Sequence, residues 1–168
     1  DEEIPVAAQR RIGADGAALF VANPFYGRID RVRLPDGAVL GGFRHGATGA
    51  DWARNARVFG LAWRDGWLYH GVVDSRESPT APGALRAFVY RSRADGSETA
   101  EVVSFPLDYT RTRPWDRWTA VTLIPTRPPI AQPMLTDLAF TADGDMIVAL
   151  RDRVTDMTPA FPATSVAD

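Results

Sequence analysis

V-F-G-L-A-W-R-D-G-W-L-Y-H-G-V-V-D, residues 58–74, is the stretch from which the fold is read. Val58–Arg64 alternates, with Phe59, Leu61 and Trp63 predicted on one face of a strand. Asp65-Gly66 follows, and Trp67–Asp74 forms a second apolar run. Asp and Gly tolerate positive φ, so Asp-Gly between two such runs predicts a type I′ hairpin. The same arrangement returns at Leu135–Ala142, Asp143-Gly144 and Asp145–Arg151. A weaker copy is Ile12-Gly13-Ala14, Asp15-Gly16 and Ala17–Ala22. Between these, Asp36-Gly37 joins Arg28–Leu34 to Ala38–Phe43, and Asp95-Gly96 joins Leu85–Arg93 to Ala100–Phe105.

Hairpin, loop, hairpin makes a unit of four short strands, and tandem four-stranded units are how β-propeller blades are built. The predicted fold is therefore all-β: two to three four-stranded antiparallel blades of a propeller. The blades fall at about 4–49, 57–105 and 133–154, with a long Pro-rich surface loop over 106–132 and a tail or linker over 155–168. A β-sandwich or open meander has the same strand count; recurrence of Asp-Gly at matching places favours the propeller. Propellers close with about four to eight blades. The expectation is thus an incomplete ring, either a fragment or a protomer completed by other chains. Ala50–Ala56 has room for one or two helical turns.

Composition narrows the function classes. Hydrophobic residues make up 45% of the 168, enough for a packed core. A net charge of −2 supplies no field toward nucleic acid, and the longest apolar runs are strand-sized, so no membrane insertion is expected. All 19 basic residues are Arg, which excludes Schiff-base and P-loop lysine chemistry. No Cys is present, so disulfides, thiolate catalysis and Cys-ligated zinc are excluded.

Three stretches carry a family resemblance: residues 58–74, V-V-S-F-P-L-D-Y-T-R at 102–111, and P-M-L-T-D-L-A-F-T-A-D-G-D-M-I-V-A-L-R-D-R at 133–153. Together they resemble the propeller-like region of large bacterial cell-surface proteins that often carry SdrD B-like repeats. The resemblance implies an extracellular or cell-surface protein with a structural or adhesive role, and it implies no catalytic residues.

Candidate chemistry is sparse. His70 sits mid-strand and reads as a half-buried residue with a satisfied hydrogen bond; His45 sits in R-H-G-A-T-G-A-D, a flexible connection lacking the Lys of a phosphate cradle. Ser75, Ser78, Ser92 and Ser97 lie outside any G-x-S-x-G. Asp137, Asp143 and Asp145 present carboxylates around a tight turn, which suits calcium, although a hairpin needs Asp and Gly there anyway. Asp74, Asp108 and Asp152 fall at strand ends, where they either line a rim or pair with nearby Arg. Arg111, Arg113, Trp115, Arg117 and Trp118 form a patch fit for a protein partner or a glycan, or for stapling the long loop down. The reading reached is a non-catalytic module that assembles with other protein chains or with the rest of a larger polypeptide. The alternatives are a calcium-dependent propeller hydrolase of the lactonase kind and a glycan-binding module.

Overall fold

Asp65 and Gly66 both take positive φ, 50° and 77°, as a two-residue type I′ turn requires. They join β5 (Ala56–Arg64) to β6 (Trp67–Asp74) in antiparallel register. The computed structural model describes residues 10–12, 18–46, 48–78, 84–119 and 130–154. The other strands are β1 (Arg10–Ile12), β2 (Ala18–Asn23), β3 (Arg28–Arg33), β4 (Val39–Arg44), β7 (Arg86–Ser92), β8 (Ala100–Pro106), β9 (Pro133–Phe140) and β10 (Met146–Asp152). The Asp15-Gly16 turn, the 120–129 part of the Pro-rich loop and the 155–168 tail lie outside the described residues.

The chain is all-β and its sheets are antiparallel, as the hairpin spacing predicts. One sheet runs β1-β2-β3-β4, with β1 only three residues long; a second runs β5-β6-β7-β8; β9 and β10 pair as a hairpin. None of the sheets closes on itself. The pairs Asp36-Gly37, Asp95-Gly96 and Asp143-Gly144 are turns too, but not of type I′. At 94–96 and 142–144 the loop has three residues, closed by Arg93 N–H to Ser97 O and Thr141 N–H to Asp145 O, each 2.9 Å. There only the glycine is left-handed: Gly96 at φ 85° and Gly144 at φ 99°. Such a loop needs positive φ at its last residue alone, which leaves Asp95 Oδ1 to accept the Ser97 N–H at 2.9 Å.

The middle sheet is covered on both faces. Toward the first sheet, Val58, Leu61, Leu68, Val72 and Phe88 meet Phe20, Ala22 and Ile29. Toward the β9–β10 hairpin, Ala62, Val73, Ala87 and Val89 meet Leu135 and Leu138. Alternation along the strands, interrupted at the register shifts in β5 and between β7 and β8, lets one sheet feed two cores, because successive side chains point to opposite faces. Packing between sheets concentrates on β1, β2, β5, β6 and β9. The last strands of the two larger sheets, β4 and β8, are largely exposed.

Two local expectations change. The β5 register slips between Val58 and Leu61, so Val58, not Phe59, joins Leu61 and Trp63 in the core facing the first sheet. A bulge adds one residue and flips the phase of everything beyond it. The segment 50–56 yields a single 3-10 turn, Ala53–Asn55, preceded by Trp52, which stacks on Phe88 at 4.2 Å between ring centroids.

Candidate functional site

A cleft lies where the middle sheet ends beside the long connection. β6 stops at Asp74, whose Oδ1 accepts the Arg76 N–H at 3.1 Å. That bond holds Arg76 at φ 49°, a conformation a non-glycine residue adopts at some cost. Burial disfavours the Asp74 carboxylate and pushes its pKa up, against the pull of the Arg76 backbone and charge. Ser75 is tied on both sides, its N–H to Asn55 O at 2.9 Å and its carbonyl to Trp118 N–H at 2.8 Å. At the same end of the sheet, Leu107 N–H donates to Leu85 O at 2.9 Å and extends the β7–β8 ladder by one step. Asp116 N–H then donates to Ala131 O at 2.8 Å.

These anchors enclose a cleft of about 290 Å³. Leu85, Leu107, Tyr109 and Trp115 supply its apolar lining, and Arg76, Asp108 and Asp116 its charged groups. Trp115 is fixed twice. Its Nε1–H donates to the Tyr109 hydroxyl at 2.9 Å, and the Arg111 guanidinium lies over its ring at 3.4 Å from the centroid.

The structure thus brings Arg111, Trp115 and Asp108 to one place. Arg113 and Arg117 are exposed, and Arg117 N–H donates to Asp116 Oδ1 at 2.7 Å. Trp118 is buried: its Nε1–H donates to Pro133 O at 2.7 Å and Arg153 stacks over its ring at 4.3 Å. Arg153 also bonds Gln132 Oε1 and Thr119 O, and Arg57 pairs with Glu77 close by. Trp118 therefore staples the connection to β9. Trp118→Phe retains the stack but leaves the Pro133 carbonyl without its donor, at an expected cost of about 1–2 kcal/mol in urea denaturation.

The acidic residues do not converge. Asp137 lies in β9 opposite Ala149, with Oδ1 accepting the Leu138 N–H at 2.9 Å, whereas Asp143 and Asp145 stand exposed at the hairpin tip. Among the described residues no three His, Asp or Glu side chains gather as a metal ion would need. Asp152 Oδ1 accepts the N–H groups of Gln132 and Val154 at 2.9 and 3.0 Å, a local cap at the strand end.

Both histidines differ from expectation. His70 is fully buried, and neither ring nitrogen has a hydrogen-bond partner of normal geometry. It stacks near Tyr90 at 5.8 Å and meets the edge of Phe43 at 6.3 Å. His45 is buried as well, stacked on Trp52 at 6.2 Å, while Gly46, Thr48 and Gly49 after it are exposed. Periodicity on β6 marks His70 as core-facing; nothing in the local pattern marks His45, whose burial depends on Trp52. Burial lowers the His70 pKa to about 3, and burial with the nearby Arg44 charge lowers that of His45 to about 4.

The two ends of the stack are uncovered among the described residues. On the first sheet, the face away from the middle sheet carries Val21, Val32 and Val39 around the Arg28–Asp30 ion pair, with Val39 68% exposed. On β10, Ile147 is 56% exposed and Ala149 and Arg151 are exposed beside it. No protein-family model, no curated protein and no solved structure matches this chain.

Proposed function

We propose that this chain is a run of consecutive β-propeller blades serving as a non-catalytic structural or adhesive module, whose end faces are covered by further protein. The observation that carries the reading is the stacking itself. Three sheets lie face to face, their early strands pack together, and β4 and β8 stay exposed, as blades radiating from an axis would arrange them. A blade has two faces to bury, and among the described residues the two terminal sheets each bury only one. The apolar residues left on the free faces, Val21, Val32 and Val39 at one end and Ile147 at the other, suit another sheet better than water.

The surface-protein reading draws its support from resemblance. The three stretches that carry it fall on the β5–β6 hairpin, on β8 with the loop after it, and on the β9–β10 hairpin. Extracellular placement belongs to this same proposal.

The test is sedimentation of the purified chain across a concentration series, with 8-anilinonaphthalene-1-sulfonate binding in parallel. The folded chain is expected to self-associate or to bind the dye, and Val39→Glu with Ile147→Glu is expected to suppress both while leaving the melting transition in place. A monomer that binds no dye, with or without these substitutions, would show that the end faces need no cover.

A further inference from the structure

We propose that the cleft bounded by Arg76, Tyr109 and Trp115 is a binding subsite for one ring of a neutral oligosaccharide. The inference is independent of how the blades assemble, because every group it uses belongs to the middle sheet and the connection tied to it.

Size comes first. About 290 Å³ lies at the low end of small-molecule sites, room for a single ring and part of a neighbour rather than for an extended drug-sized ligand. Chemistry comes second. Leu85, Leu107, Tyr109 and Trp115 offer a hydrophobic wall, and a pyranose presents a matching C–H face. The polar groups around that wall have both signs: the Arg76 guanidinium donates, and the Asp108 and Asp116 carboxylates accept. A ligand with a net charge would face a group of its own sign on one side of the wall. Adjacent sugar hydroxyls each donate and accept, so a neutral polyol satisfies both.

The Tyr109 hydroxyl adds direction. It accepts the Trp115 Nε1–H at 2.9 Å, which leaves its own proton available to a ligand oxygen. Arg111 stacks over Trp115 and holds that ring in the wall. Rigidity comes last. Trp115 is clamped by Arg111, by Tyr109 and by its bridge to Ala131, and the Arg76 backbone is fixed by Asp74. A site held in place before binding loses little entropy on binding, which is what a small, weakly binding ligand requires.

The experiment is saturation-transfer NMR on the full chain with cellotriose, chitotriose and mannotriose, followed by titration calorimetry on any that bind. At least one trisaccharide is expected to show transfer to a single ring. Tyr109→Phe and Asp108→Asn are each expected to weaken it about tenfold, with the melting temperature unchanged. Absence of transfer from all three sugars overturns the proposal. So does binding that ignores both substitutions, which would place the sugar elsewhere. A proline-rich decapeptide serves as the competing probe; if it binds through Tyr109 and the sugars do not, the cleft is a peptide groove and the proposal fails.

Discussion

Lowering the pH from 7 to 4 is expected to strip most of the stability from this protein, and His70→Leu to remove a large part of that sensitivity. His70 and His45 are buried in the layer between the first sheet and the middle one. His70 faces Phe43 from β4 and Tyr90 from β7; His45 lies against Trp52, with Arg44 and Arg57 as the charges acting on it. The His45 imidazole also opposes protonation of His70. The folded-state values, about 3 and about 4, lie below the ordinary 6.5. Between those values and 6.5 the unfolded chain binds protons that the folded chain refuses. The stabilisation is therefore fully present above pH 6.5 and is lost as the pH falls toward 4. At about 1.4 kcal/mol per pH unit for each ring, each contributes on the order of 3 kcal/mol across that window. Two such rings rival the whole stability of a small domain. Urea denaturation at half-unit steps from pH 7.5 to 4 checks this. His70→Leu is expected to be neutral or mildly stabilising at pH 7, because the ring nitrogens it removes have no partner to lose. A wild-type stability that is flat down to pH 4.5 would show that neither ring is held neutral.

What the sequence made legible follows from how local each signal is. The β5–β6 hairpin is written in seventeen consecutive residues, and its turn is the type that Asp65-Gly66 predicts. The Asp-Gly pairs at 36–37, 95–96 and 143–144 locate turns correctly but do not reveal loop length, because a glycine at positive φ serves two-, three- and four-residue loops alike. The β5 bulge is illegible: Phe59, Leu61 and Trp63 alternate as a regular strand would, and only pairing with β6 exposes the extra residue. At the cleft, Arg111 and Trp115 stand out by residue type and spacing. Tyr109 does not, since only its bond to Trp115 gives it a place in the wall, and neither do Arg76 and Leu85, which come from the β6–β7 connection and meet the one after β8 only when β6, β7 and β8 have paired. Trp118 looks like Trp115 in sequence, and what separates a buried staple from a cleft wall is the Pro133 carbonyl, a partner fifteen residues away.

The attachment of the β9–β10 hairpin is expected to hinge on one side chain seated over two glycines. Leu135 is buried in the core between the hairpin and the middle sheet. A β-carbon at Gly71 would lie inside the Leu135 side chain, 2.9 Å from Cγ and 3.0 Å from Cδ1. One at Gly60 would lie 3.0 Å from Leu135 Cδ2 and 3.1 Å from its carbonyl oxygen. Gly60 sits at the β5 bulge and Gly71 on β6 beside it, so both strands lack side chains where the leucine enters. Leu135→Ala empties that hole and is expected to cost about 2–5 kcal/mol. Gly71→Ala overfills it and is expected to cost about 1–3 kcal/mol, since Gly71 pairs regularly with Val89 and has no left-handed backbone to relax. The two faults are opposite in kind. In the double variant the new methyl occupies space the leucine has vacated, so the combined cost should fall short of the sum by about 1 kcal/mol or more. Independent, additive costs in a denaturation cycle would mean that Leu135 does not seat against Gly71. A glycine floor explains how the third sheet approaches the second closely at its early strands while β8 stays clear of it.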